Sequence, residues 1–158
     1  MGLGGNVGSP RLAFEAALAG LSSSVHGLVL SPVYRTAPVG GPPQPDFLNA
    51  VAVGRTRLEP VALLATLLRL EAEAGRRRSP LRDGPRPLDL DLLLYGDLVL
   101  ELPGLVLPHP RMASRRFVLA PLADLRPDLV VPGTGQKVSA LLAAAPPARV
   151  ERLSTAGD

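Results

Sequence analysis

An α+β fold with a mainly antiparallel sheet is what this sequence predicts, and three observations predict it. Two stretches, 10–21 and 60–74, carry apolar residues at helical spacing. Between and around them run β-rich segments punctuated by glycine and proline. The pieces follow in the order strand, helix, strand, strand, helix, strand, which is the split βαβ or ferredoxin-like arrangement, βαββαβ.

Residues 1–4 read as a short first strand, followed by the turn "GGNVGS". Ser9 suits a helix N-cap and Pro10 the first helical turn, with Leu12, Phe14, Ala17, Leu18 and Leu21 on one face. A strand is expected over 25–36. "TAPVGGPPQPD" holds four prolines and two glycines, so it is a loop, and its length suits function better than simple connection. "FLNAVAVGRTRL" resumes as a strand. Pro60 opens the second helix, which stops at Gly75, a residue suited to a left-handed C-terminal cap. An arginine-rich loop spans 76–87 and leads into "LDLDLLLYG", the last core strand. "LVLPHP", a helical "FVLAPLADL" and a final helix in "KVSALLAAA" are expected to cover the same sheet. At 158 residues the chain reads as one domain over 1–145, with a poorly ordered tail over 146–158.

Composition removes several function classes. There is no cysteine and there are two well-separated histidines, so disulfides, thiolate metal sites and a zinc site are all excluded. No apolar stretch reaches the length of a membrane span, and a cytoplasmic monomer without membrane partners is expected. "GLGGNVG" invites a dinucleotide-binding reading, but in G-x-G-x-x-G register the last position is Val7. No Walker A sequence occurs, and "GTGQK" lacks its glycine spacing.

The informative pair is Asp89 and Asp91. On an extended strand they share a face, roughly 6–7 Å apart at Cα, while Leu88, Leu90 and Leu92 take the other. Like charges that close need a cation between them, either arginine or a divalent metal. Net charge is only +3, yet Arg76, Arg77, Arg78, Arg82 and Arg86 cluster directly ahead of the aspartates, a local signal for a polyanion. Carboxylates for Mg²⁺ and cations for phosphate oxygens are the requirements of phosphoryl transfer. Asn49 has an independent case, since it shares a strand face with Phe47 and sets a planar donor and acceptor beside an aromatic ring.

These residues also carry a family resemblance. "GRRRSPLRDGPRPLDLDLLLYG" resembles the signature region of the 6-hydroxymethyl-7,8-dihydropterin pyrophosphokinases, with G-P-R-x-x-D-[apolar]-D present between Arg82 and Leu93. "SPVYRTAPVGGPPQPDFLNAV" resembles their pterin-binding segment and "LPHPRMASRRFVLAPL" their nucleotide-binding segment. The resemblance implies transfer of the terminal diphosphate of ATP to the pterin hydroxymethyl group, release of AMP, and two Mg²⁺ held by Asp89 and Asp91. It implies that Asn49 bonds the pterin ring, that Phe47 and Phe117 sandwich it, and that Thr36 and Val39 offer backbone contacts. Around the ATP it places Glu71, Arg76, Arg86, His109 and Arg115, with Arg78 and Arg82 from the arginine loop; Arg76 and Arg86 join the two aspartates as catalytic residues. Two positions depart from the family pattern: Asp83 stands where an aromatic often precedes G-P-R, and Gly104 where some members have a basic residue. Asp83 is expected to pair with Arg82 or Arg78 and face solvent, leaving the lid held by arginine contacts.

Two other readings fit less well. A nucleotidyltransferase can use a D-x-D pair, but Gly4 and Gly5 lie far upstream of Asp89. An RNA-binding ferredoxin-like module needs aromatics on its central strands, and aromatic content is 3%; no nucleic-acid partner is expected.

Overall fold

The computed structural model describes residues 1–76 and 83–154. Arg78 and Arg82, assigned above to ATP, lie outside the described residues. The core elements are β1 (Gly2–Gly5), α1 (Pro10–Leu21), β2 (Val25–Leu30), β3 (Tyr34–Thr36), β4 (Phe47–Thr56), α2 (Pro60–Glu73) and β5 (Asp89–Asp91). They are followed by a hairpin of β6 (Leu100–Leu102) and β7 (Leu105–Leu107), helix α3 (Arg116–Leu125), a small hairpin of β8 (Val130–Val131) and β9 (Gln136–Lys137), helix α4 (Val138–Ala144) and β10 (Val150–Arg152).

The main sheet runs β10-β3-β4-β1-β5, with β2 also on β4, and every pairing in it is antiparallel. This is the α+β, mainly antiparallel architecture read from the sequence, with the second strand of the expected βαββαβ order divided into β2 and β3. Alternation along the strands feeds two cores. On one face Leu3, Ala50, Ala52, Leu88, Leu90 and Leu92 pack against Phe14 and Leu21 of α1 and Leu63, Leu67 and Leu70 of α2. On the other, Val51 and Leu93 pack against Val118, Leu119 and Leu122 of α3 and Val138 and Leu141 of α4.

Four local expectations are corrected. The strand over 25–36 is two strands, because Pro32 has no N–H and Ser31 turns its hydroxyl onto the ladder, where its Oγ accepts from the Val51 N–H at 2.9 Å. Ser9 sits at the N-cap of α1 without a side-chain cap bond, and Leu12 is exposed rather than on the buried face. The segment after Pro146 is not simply a tail, since β10 pairs with β3 in the register Val150↔Thr36 and the Leu153 N–H reaches the Val33 carbonyl at 2.9 Å. Gly75 does cap α2, with φ +91°. Its N–H reaches Ala72 and that of Arg76 reaches Glu71, the paired bonds of a Schellman motif.

Candidate active site

The strand registers put the chemistry in rows. Gly4 is opposite Asn49 on one side and Asp89 on the other; Gly2 is opposite Val51 and Asp91. Asn49, Asp89 and Asp91 therefore share the face that looks toward α3, and the two glycines between them leave a floor without side chains. A Cβ at Gly4 would stand 2.9 Å from Asn49 Oδ1, and one at Gly5 would stand 2.5 Å from the Pro87 carbonyl. The glycines that look like a nucleotide motif serve close approach of strands and side chains instead.

Above this floor lies a cavity of about 400 Å³. Thr36, Val39, Phe47, Asn49 and Phe117 line it, together with Arg86, Asp89, Asp91 and Arg115. Asn49 is buried and donates through Nδ2 to Thr36 Oγ1 at 2.7 Å, which fixes the amide plane. Phe47 and Phe117 are each capped by a guanidinium, Arg86 at 4.9 Å and Arg115 at 5.4 Å from the ring centroids. Arg86 thus touches both the aromatic and the ionic part of the cavity, through Phe47 and Asp89.

The aspartates differ in their surroundings. Asp89 bonds Arg76 and lies 3.4 Å from Arg86 Nε. Arg76 also binds Glu71 at 2.6 Å, and Glu71, buried, accepts the Leu90 N–H at 2.7 Å. Burial pushes the Glu71 carboxyl up, against the pull of the Leu90 N–H and Arg76. Burial also works against charge on Arg76, but Asp89 and Glu71 outweigh it and hold the guanidinium charged. Asp91 has no ion pair within contact distance among the described residues. Burial first, and the charge of Asp89 second, push its carboxyl up to about 6. A carboxylate so placed favours an arriving cation.

Other assigned residues sit around rather than in the cavity. Glu71 and Arg76 stand beneath the aspartate strand, and His109 is outside the lining. The half-buried His109 imidazole is lowered by burial and by Arg115 and Arg111. Arg115 is itself lowered, by burial and by Arg111, so this wall has an excess of positive charge.

Several residues of the site escaped the sequence reading. Asn6 is buried and ties three segments: its Oδ1 accepts the Arg86 N–H at 3.0 Å, and its Nδ2 donates to Gln44 Oε1 and the Pro45 carbonyl at 2.9 Å. Arg111, Ser114 and Arg116 join the lining, as do Pro146, Pro147 and Ala148. Asp83 is exposed, but it lines the cavity instead of turning away from it, and its carbonyl is held by Gln44 Nε2 at 2.7 Å; the expected partners Arg78 and Arg82 lie outside the described residues. Its φ of 56° suits Asp; a bulky aromatic there would be strained.

Residues 1–127 match the model of the 7,8-dihydro-6-hydroxymethylpterin-pyrophosphokinase (HPPK) family. The chain belongs to this family. It is 46% identical over 153 residues to the 2-amino-4-hydroxy-6-hydroxymethyldihydropteridine pyrophosphokinase of Pseudomonas aeruginosa, covering 96% of this chain and 93% of that one. The enzyme of the same name from Synechocystis is 44% identical over 145 residues, 90% of this chain and 73% of that one. A folate synthesis bifunctional protein of Arabidopsis thaliana is 46% identical over 128 residues, 78% of this chain and 26% of that longer protein. As an HPPK, the chain is a pyrophosphokinase of folate biosynthesis that uses ATP as co-substrate.

Proposed function

We propose that this HPPK binds the pterin between Phe47 and Phe117, reads its ring edge with Asn49, and holds the ATP phosphates against Asp89, Asp91 and the arginines through two Mg²⁺. The observation that carries this is the glycine floor, which brings one amide and two carboxylates onto a single open face under two aromatic rings. Two aspartates suit Mg²⁺, which keeps several waters and completes its shell with substrate phosphates. When bound, the metal supplies Lewis-acid stabilisation of charge on the phosphate oxygens.

The residues themselves do the rest. Stacking and the fixed Asn49 amide orient the pterin so that its hydroxymethyl oxygen faces the aspartate row. That oxygen attacks the β-phosphorus of ATP, the new O–Pβ bond forms, and the bond to the α-phosphate oxygen breaks to release AMP. Arg86, bridging Phe47 and Asp89, couples pterin occupancy to the phosphate end, and Arg76 stands ready to meet developing charge. Arg111 and Arg115 neutralise the triphosphate from the opposite wall.

Titration of Mn²⁺ into the enzyme with a non-hydrolysable ATP analogue tests the metal assignment. Asp89→Asn and Asp91→Asn should each abolish the metal-dependent part of analogue binding. Full metal affinity in both variants would contradict it.

A further inference from the structure

Part of the cavity wall comes from a stretch that the family match, ending at residue 127, does not include. Pro146, Pro147 and Ala148 line the same space as Thr36, Asn49 and Phe117. The stretch is fastened at both ends. Arg116, next to Phe117, donates from Nη2 to the Ala145 carbonyl at 2.9 Å and from Nε to that of Pro146 at 3.4 Å. Arg149 pairs with Asp46, the residue before Phe47, at 2.9 Å. Beyond it, Val150 enters the sheet opposite Thr36, the residue that holds the Asn49 amide. Each anchor is therefore a neighbour of a residue assigned to the pterin.

We propose that residues 145–149 form a strap that walls the heterocycle end of the cavity and sets the width open to the pterin ring. Two consecutive prolines fix their own φ and offer no N–H, so the strap presents a stiff apolar edge that cannot compete for the ring's hydrogen bonds. Ala148 leaves room where a larger side chain would intrude. Arg111, Ser114 and Arg115, which the proposed function places at the triphosphate end, come from a separate segment of the lining, so the strap acts on the flat heterocycle. This inference rests on the pterin reading of the Phe47, Asn49 and Phe117 end.

The test is calorimetric titration of the full chain with α,β-methylene-ATP and Mg²⁺, then of that complex with 6-hydroxymethylpterin. Two variants are compared, Pro146→Gly with Pro147→Gly, and Ala148→Phe at an exposed position that leaves the prolines and anchors untouched. Each should weaken pterin binding by about tenfold or more and leave the nucleotide analogue within about twofold. Unchanged pterin affinity in folded Ala148→Phe overturns the strap while the pterin reading stands. Equal loss of both ligands overturns it too, in favour of a general structural role. A wild-type chain that takes the nucleotide analogue but no pterin overturns both readings together.

Discussion

Gly2 and Gly4 decide how closely Asp91, Asp89 and Asn49 can approach a bound molecule, because any side chain there would fill the floor between them. The same crowding leaves Asp91 a half-buried carboxylate beside another, its pKa pushed up to about 6. At pH 7 its charge is held against the fold's preference, and a neutral isostere relieves that cost. Asp91→Asn should therefore melt about 3 °C higher than wild type without metal, yet turn over no substrate. Thermal unfolding and a single-turnover assay check this together. A less stable variant that stays active would assign Asp91 to structure alone. The pair was legible in the sequence because two aspartates two residues apart on a leucine strand share a face and call for a cation, arginine or metal. Asn6 was not, since an asparagine in a glycine turn gives no hint that its amide joins segments far apart in the chain.

Between elements, α2 joins β5 through leucine packing and one carboxylate. Glu71 binds the Leu90 N–H and Arg76 together, and the Schellman turn at Gly75 delivers Arg76 to that position. Glu71→Ala leaves the buried Leu90 N–H unpaired and takes from the half-buried Arg76 one of its two carboxylate partners, so it should cost about 3 kcal/mol. Glu73→Ala, which removes an exposed i,i+4 pair with Arg69, should cost under about 1 kcal/mol. Denaturant unfolding of both variants decides whether burial sets the difference; equal costs would contradict it. A second joint ties β3 to α3, where the Tyr34 hydroxyl donates to Asp124 at 2.5 Å and burial, with this bond, pushes the phenol up to about 12. The folded state keeps that proton where the unfolded chain, with a phenol near 10, has lost it. Unfolded chains then bind fewer protons, so stability falls as pH rises from about 10 to 12. Tyr34→Phe should flatten that decline in denaturation measured across this window, and an unchanged slope would contradict the assignment. At this scale the sequence was clear where signals were strong. Gly75 and the leucine periodicity located α2, whereas β10 is three residues with no apolar alternation and owes its place to pairing with β3.

Over the whole molecule, the cavity gathers residues from β1, β3, β4, β5, the loops around them, α3 and the strap before β10. The sequence pattern gave the order of the elements and thus the antiparallel sheet, but not which wall the last ten described residues would complete. That wall depends on α3 and α4 covering one face and returning the chain to β3, a long-range outcome that local propensity does not encode. One arrangement holds an aromatic slot beside a carboxylate row, and membership of the pyrophosphokinase family attaches a specific chemical claim to it: attack at the β-phosphorus rather than the γ-phosphorus. Quantifying nucleotides and pterin products after incubation with ATP, Mg²⁺ and 6-hydroxymethyl-7,8-dihydropterin tests this most directly. AMP and the pterin diphosphate should appear in equal amounts, with no AMP when the pterin is left out. ADP as the nucleotide product, or ATP breakdown indifferent to the pterin, would contradict it.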